Sequence, residues 1–312
     1  MNLHPPKSVR TRFGVALAAV LAAAAAIAFG VAISADPPQS GPAVDSHSEH
    51  ADIWTVDVDT RELRRATLNA DALEPDWSPK GEIAFSTQSC DECSSEIHLD
   101  TSGSSEIPVD TTVRHLFQPS WSPDGKRVAV VRLGHGLFAV DVDTRSAKRL
   151  TTGTTDEAPA WSPDGTWVLY ERLVKNANYD LFAVHTETGA TRRLTKDPAA
   201  QTRAAWSPDG ARLAFAEQQA NGKWAIVTMG FDGNGKKRVT GSQTSAQEPA
   251  WSPDGKRIAF ILQGLDRASV AMIDANGSGS IEQLTDTQEL FAARPTWSPG
   301  GTSIAFSATI VP

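Results

Sequence analysis

From about residue 52 to the end of the chain, short apolar or β-branched runs alternate with polar turn signals. Arg127-Val128-Ala129-Val130-Val131 and Arg257-Ile258-Ala259-Phe260-Ile261 each follow a Pro-Asp-Gly turn and read as buried strands. A shorter apolar piece precedes each turn, as in Ala158-Pro159-Ala160-Trp161, and a third run follows, such as Leu137-Phe138-Ala139-Val140-Asp141-Val142. An Asp/Thr/Gly-rich turn then leads to a last short strand, such as Lys148-Arg149-Leu150-Thr151. The pattern predicts four antiparallel strands per repeat, with no helical periodicity beyond the N-terminus.

The repeat is marked by Trp-Ser-Pro, which begins at Trp77, Trp121, Trp161, Trp206, Trp251 and Trp297 with spacings of 44, 40, 45, 45 and 46 residues. That period suits a four-stranded propeller blade and not a helical repeat of about 33 or 34. Ser-Pro-Asp-Gly places a fixed φ at the second turn position and tolerates positive φ at the fourth, so a tight hairpin is expected. It occurs at 122–125, 162–165, 207–210 and 252–255; Lys80 and Gly300 replace the Asp in the first and last copies, where the turn is still expected. Regular recurrence beside one turn makes the six Trp residues packing elements rather than a ligand platform.

The two ends of the chain complement each other. After the last Trp-Ser-Pro only Thr302 to Ala308 remain, two strands of a repeat, whereas Ile53–Val58 and Glu62–Leu68 look like a third and a fourth. Val56-Asp57-Val58-Asp59-Thr60-Arg61 nearly repeats Val140-Asp141-Val142-Asp143-Thr144-Arg145. Pairing the ends predicts an all-β, closed six-bladed propeller of four-stranded antiparallel blades without exposed edges.

The pattern Glu248-Pro249-Ala250-Trp251-Ser252-Pro253-Asp254-Gly255-Lys256-Arg257-Ile258-Ala259-Phe260, with Leu284-Thr285 ending the repeat, closely resembles the propeller repeat of TolB-like periplasmic proteins. The resemblance covers about residues 52–312. It implies the propeller fold and an extracytoplasmic protein-binding role. TolB carries an N-terminal α/β domain ahead of its propeller, where this chain has a short spacer.

Ahead of the repeats, Lys7, Arg10 and Arg12 precede a 23-residue apolar stretch, Phe13 to Ala35, rich in Ala. Residues 1–35 are therefore expected to form an export helix, either a cleaved signal ending near Ala32-Ile33-Ser34-Ala35 or an uncleaved membrane anchor. Residues 36–51 read as a flexible spacer, and its His47 and His50 are expected to be solvated; residues 52–312 form the propeller. The protein is thus expected outside the cytoplasm, in the periplasm or at the cell surface.

A net charge of -8 argues against a nucleic-acid or anionic-membrane surface, because phosphate binding needs clustered Lys and Arg. The two cysteines, Cys90 and Cys93, lie between strands, and outside the cytoplasm they read as a disulfide clip in a long hairpin loop. A redox pair or a zinc site, with His98 as one further ligand, is the other reading.

No Gly-x-Ser-x-Gly, His-Glu-x-x-His or phosphate loop occurs, so no catalytic residue, metal site or cofactor is assigned. The enzymatic alternative is a metal-dependent carbohydrate lyase on a similar propeller, for which His115, His135 and Gln118 would begin a histidine cluster. Connectivity puts the uniform turns on one face. It gathers the differing loops on the other: Ser86 to Ser95, Leu133 to Gly136, Leu173 to Tyr179, Glu217 to Gly222 and Gln263 to Ala268. The innermost strands begin at that variable face. Glu74, Gln118, Ala158, Arg203, Glu248 and Arg294, three residues before each Trp, are therefore expected to ring the channel mouth in contact with solvent. Glu74, Gln118, Arg203, Glu248 and Arg294 are the candidate binding residues. The reading is a non-catalytic scaffold that binds a protein or a cell-envelope component.

Overall fold

The computed structural model describes residues 51–68, 71–89, 94–99, 106–107, 115–174, 178–264, 267–285 and 290–310. The export helix, most of the spacer, and Cys90 with Cys93 lie outside the described residues. Among the described residues there are strands and no helix, and so no helix that could cross a membrane.

Four antiparallel sheets have four strands each. They are β3–β6 (Ala72–Trp77, Ile83–Ser89, Ser94–His98, Glu106–Ile107), β7–β10 (Leu116–Trp121, Arg127–Arg132, Gly136–Asp141, Ala147–Arg149), β11–β14 (Asp156–Trp161, Trp167–Leu173, Tyr179–His185, Thr191–Arg193) and β15–β18 (Gln201–Trp206, Arg212–Gln218, Trp224–Gly230, Lys237–Arg238). In each, the strand that ends in Trp lies at one edge and the shortest strand at the other.

The remaining eight strands form one sheet rather than two separate ones. It contains the antiparallel group β19–β22 (Ser245–Trp251, Arg257–Gln263, Ala268–Asp274, Glu282–Gln283) and a second group in which β23 (Leu290–Trp297) and β24 (Ser303–Ile310) continue into β1 (Ala51–Asp57) and β2 (Leu63–Arg65). The two groups are joined by a single parallel bridge, Ala268 to Phe291. The expectation of six separate sheets is corrected at this bridge, where β23 starts early enough to reach β21.

The chain ends pair as their sequences suggest. β1 runs antiparallel to β24 along its whole length, from Ala51 opposite Thr309 to Asp57 opposite Ser303. The turn after β1 repeats the one after β9: the Asp57 Oδ1 accepts from the Asp59 and Thr60 backbone N–H groups, and the Asp141 Oδ1 from those of Asp143 and Thr144. Arg61 and Arg145 both close that turn at positive φ, 63° and 62°.

The Trp-Ser-Pro turns are alike in all six copies. The backbone N–H of Gly125, Gly165, Gly210 and Gly255 donates to the Ser carbonyl at 2.9 Å, and Gly81 and Gly301 close the variant turns at 3.0 and 2.9 Å. Where Asp is present, its Oδ1 accepts from the Ser hydroxyl at 2.5–2.6 Å, which holds that carboxyl below its usual range. The turns hold the Trp side chains between neighbouring sheets. Trp121 packs with Ala84 and Ile97 of the preceding sheet, Trp161 with Ala129 and Val131, and Trp206 with Leu169 and Leu181. Trp251, Trp297 and Trp77 repeat this against Ala214, Ala259 and Ala305. A buried Trp removes ~150–250 Å² from water, so each of the five buried ones contributes about 4–6 kcal/mol before entropy is counted, and the partly buried Trp77 less.

Candidate functional site

The site is built from a repeated irregularity in the innermost strands. Between Glu157 and Ala160 of β11 the register slips against β12, where the partners are Glu171 and Leu169, leaving Ala158 and Pro159 opposite a single residue. The same slip occurs at 73–76, 117–120, 202–205, 247–250 and 293–296. Each is a β-bulge, and in each the first inserted residue has positive φ: Glu74 58°, Gln118 54°, Ala158 53°, Arg203 58°, Glu248 56° and Arg294 56°. Left-handed backbone at a non-glycine residue costs roughly 1–3 kcal/mol. Six such residues sit at equivalent positions, so the bulge is a requirement of the repeat.

The bulges turn six residues toward one space. Glu74, Gln118, Ala158, Arg203, Glu248 and Arg294 line a cavity of ≈ 330 Å³, together with the following Pro or Ala and with Trp77, Trp206, Trp251 and Trp297. Five of the six carry long polar side chains, and these link one strand to the next. The Glu74 Oε2 accepts from the Gln118 backbone N–H at 2.8 Å, and the Gln118 Oε1 from that of Ala158 at 2.6 Å. Ala158 has no acceptor to offer the next strand. There the Oε2 of Glu171, on the second strand of the sheet, accepts from the Arg203 N–H at 2.6 Å. The Glu248 Oε2 accepts from the Arg294 N–H at 2.7 Å.

Arg294 joins the last repeat to the first. Its Nε lies 3.1 Å from the Glu248 Oε1 and its Nη2 3.1 Å from the Glu74 Oε1. A second tier lies two residues further along: the Asp76 Oδ2 accepts from the Trp121 N–H at 2.7 Å, and its Oδ1 from the Thr296 hydroxyl at 3.2 Å.

These groups are more deeply placed than solvent-touching mouth residues would be. The side chains of Glu74, Arg203, Glu248 and Arg294 are only 14–21% exposed. They keep a little contact with solvent, and their charges also make strand-to-strand contacts. Five carboxylates, those of Glu74, Asp76, Glu157, Glu171 and Glu248, share this region with two guanidinium groups, Arg203 and Arg294. Burial pushes Asp76 and Glu248 up to about 7, with Arg203 opposing the rise at Glu248. Glu157 also reaches about 7, through burial and the neighbouring Glu171. Burial raises Glu74 and Glu171 as well.

Asp76, Glu157 and Glu171 were absent from the sequence candidates. Glu171 sits on a second strand, outside the three-before-Trp rule. A usable signal was the proline in five of the six innermost strands, Pro75, Pro119, Pro159, Pro249 and Pro295, because Pro inside a strand indicates a bulge or an edge.

The histidines of the lyase reading, His115 and His135, and His98 of the zinc reading have other surroundings. His115 is exposed at φ 62°, and exposed His135 donates its backbone N–H to the Arg132 carbonyl at 2.9 Å. The His98 ring stacks on Phe85 with centroids 5.0 Å apart, and its Nε2 lies 3.0 Å from the Thr87 hydroxyl. Among the described residues, no group of three or more His, Cys, Asp or Glu is placed to hold a metal ion.

The chain matches the model of the TolB beta propeller domain twice, over residues 39–176 and 172–311. Among solved structures it is similar to a protein of Agrobacterium tumefaciens described as a TolB, with TM-score 0.73 and 22% identity, over 85% of this chain and 99% of that one. TolB from Acinetobacter baumannii follows with TM-score 0.61 and 18% identity, over 75% of this chain and 63% of that one. An oligogalacturonate lyase from Vibrio parahaemolyticus is also similar, with TM-score 0.53 and 14% identity, over 84% and 97%. At these identities the structural likenesses speak to the fold alone. The two matches to the domain model together take in nearly all of the sheets, and the chain belongs to the TolB beta propeller domain family.

Proposed function

We propose that this protein is a non-catalytic, extracytoplasmic interaction scaffold, a six-bladed ring that binds a protein or another cell-envelope component through its variable-loop face. The blade count follows from treating the eight-stranded sheet as two antiparallel blades that share the Ala268–Phe291 bridge. The observation that carries the reading is the contrast between two sets of loops. Those between the second and third strands differ from blade to blade, whereas the turns that follow the innermost strands are nearly identical. Differing loops on a fixed frame are where recognition evolves most easily. The export segment read from residues 1–35 supports an extracytoplasmic location, in keeping with the TolB family.

Photo-crosslinking side chains placed at His135 and Ala220, on variable loops, should capture a discrete partner in intact cells. The same groups at Lys126 and Lys256, beside the uniform turns, should not. Capture only from the uniform turns would overturn the assignment of the face, and a tightly bound metal with polysaccharide cleavage by the purified protein would overturn the non-catalytic reading.

A further inference from the structure

The residues just before the six Trp side chains form a tier of the cavity wall that is divided by chemistry. Thr296, Asp76 and Ser120, from the last, first and second repeats, are polar, whereas Ala160, Ala205 and Ala250, from the three repeats between them, present only methyl groups. The Asp76 Oδ1 accepts from the Thr296 hydroxyl across the junction of the last repeat with the first, so the polar arc is continuous there.

Asp76 is the charge in this wall that lacks a counter-charge. Arg294 stands 3.1 Å from both Glu74 and Glu248, and Arg203 is engaged, at 3.9 Å, by Glu171, which is not part of the wall. Asp76 accepts hydrogen bonds from the Trp121 N–H and the Thr296 hydroxyl but makes no ion pair among the described residues, and it keeps part of its surface exposed. Withdrawing a carboxylate from water without a counter-ion is costly, so such a site favours a cation beside it.

We propose that the cavity binds a primary alkylammonium group: the ammonium pairs with the Asp76 carboxylate and donates to the Thr296 hydroxyl oxygen, and the alkyl stem lies on the methyl groups of Ala160, Ala205 and Ala250. An ammonium carries one charge and three N–H donors on a compact head, and its stem is apolar, which matches the two arcs. A volume of ≈ 330 Å³ is at the small end for ligand sites and suits one side chain or a small amine. A guanidinium group prefers both oxygens of a carboxylate side by side, and those of Asp76 each already accept a bond. A divalent cation needs several oxygen ligands, and among the described residues no group of three His, Cys, Asp or Glu is placed to hold one. The same head and stem occur in a free amine and in a lysine side chain. The site involves none of the variable loops.

The test uses the full chain labelled with ¹⁵N-tryptophan at pH 8, above the value of about 7 to which burial lifts Asp76, and follows the Trp121 backbone amide that donates to Asp76. Butylammonium should give a saturable shift, and butanol and butyrate none. An equal response to N-acetyl-lysine N-methylamide assigns the site to a polypeptide side chain, and a response to butylammonium alone assigns it to a free amine. Asp76→Asn should weaken butylammonium at least tenfold. Ala205→Leu, which fills the methyl arc, should do the same while leaving methylammonium unchanged, and it keeps the test decisive should Asp76→Asn fail to fold. No saturable response to butylammonium, an equal response to butanol, a stronger one to calcium chloride, or unchanged affinity in either folded variant would overturn the site. Crosslinking from His135 and Ala220 would stand in any of these cases.

Discussion

Thr285 shows how a single residue type can be required by the repeat. Its hydroxyl accepts from the Val270 backbone N–H at 3.0 Å, and Thr67, Thr151, Thr195 and Thr240 do the same for Ile53, Leu137, Leu181 and Ile226 at 2.9–3.0 Å. All five are buried. This explains why these repeats end in Thr: the hydroxyl satisfies an N–H of the third strand that would otherwise be buried without a partner. Thr195→Val keeps the shape and removes the acceptor, and should lower stability by about 1–3 kcal/mol in chemical denaturation. An unchanged denaturation midpoint would contradict this role.

The buried carboxylates belong to the same scale. Glu248 faces Arg203, Arg294, Glu74 and Glu171; Asp76 faces the Thr296 hydroxyl and the Trp121 N–H; Glu157 faces Glu171, Arg203, Glu74 and Asp156. Their folded values near 7 lie above the ordinary carboxylate range, so between that range and pH 7 the folded state holds protons that the unfolded state has released. Stability then falls as pH rises across this window. Unfolding followed at pH 5, 6 and 7 should show that decline, and Glu248→Gln should flatten it. Stability that rises steadily over the same window would contradict the burial of these groups.

At the scale of the element, the β-bulge interrupts each innermost strand midway and the Trp-Ser-Pro turn ends it. The turn was fully legible, since Pro, Asp and Gly each have a local reason for their place. Gly165 sits at φ +72°, and a Cβ there would meet only Pro123 atoms at 3.5 Å and beyond, so Gly165→Ala should cost about 1 kcal/mol through the backbone alone. A loss of several kcal/mol would show that packing, not φ, selects the glycine. The bulge was less legible. Its position could be deduced from strand direction, but its left-handed backbone falls on Glu, Gln, Ala and Arg, types that give no hint of positive φ. Only the neighbouring prolines record it. Glu171 was invisible for another reason: it substitutes for a side chain missing at Ala158, and such compensation appears only once two strands are aligned.

At the scale of the molecule, the offset between the chain ends was the strongest sequence signal. It led directly to β1 pairing with β24. The Ala268–Phe291 bridge was not legible, because a single parallel contact between neighbouring sheets depends on where β23 begins and leaves no pattern in the residues. Closure matters beyond stability, since Arg294 of the last repeat reaches Glu74 of the first and completes the wall of the cavity. Deleting residues 51–68 should expose the edge of β24 and abolish cooperative unfolding or cause aggregation. A soluble truncated protein of equal stability would remove the need for closure.

The most direct test of the closed ring is amide hydrogen exchange in the intact protein, read at β1 and β24. A closed ring predicts that the Trp54, Val56 and Val58 amides, which face β24, exchange as slowly as those in the central strands β12 and β16, with all of them released together by global unfolding. Rapid exchange in β1 and β24 while β12 and β16 remain protected would mean that the first and last strands open independently and that the ring is not closed in solution.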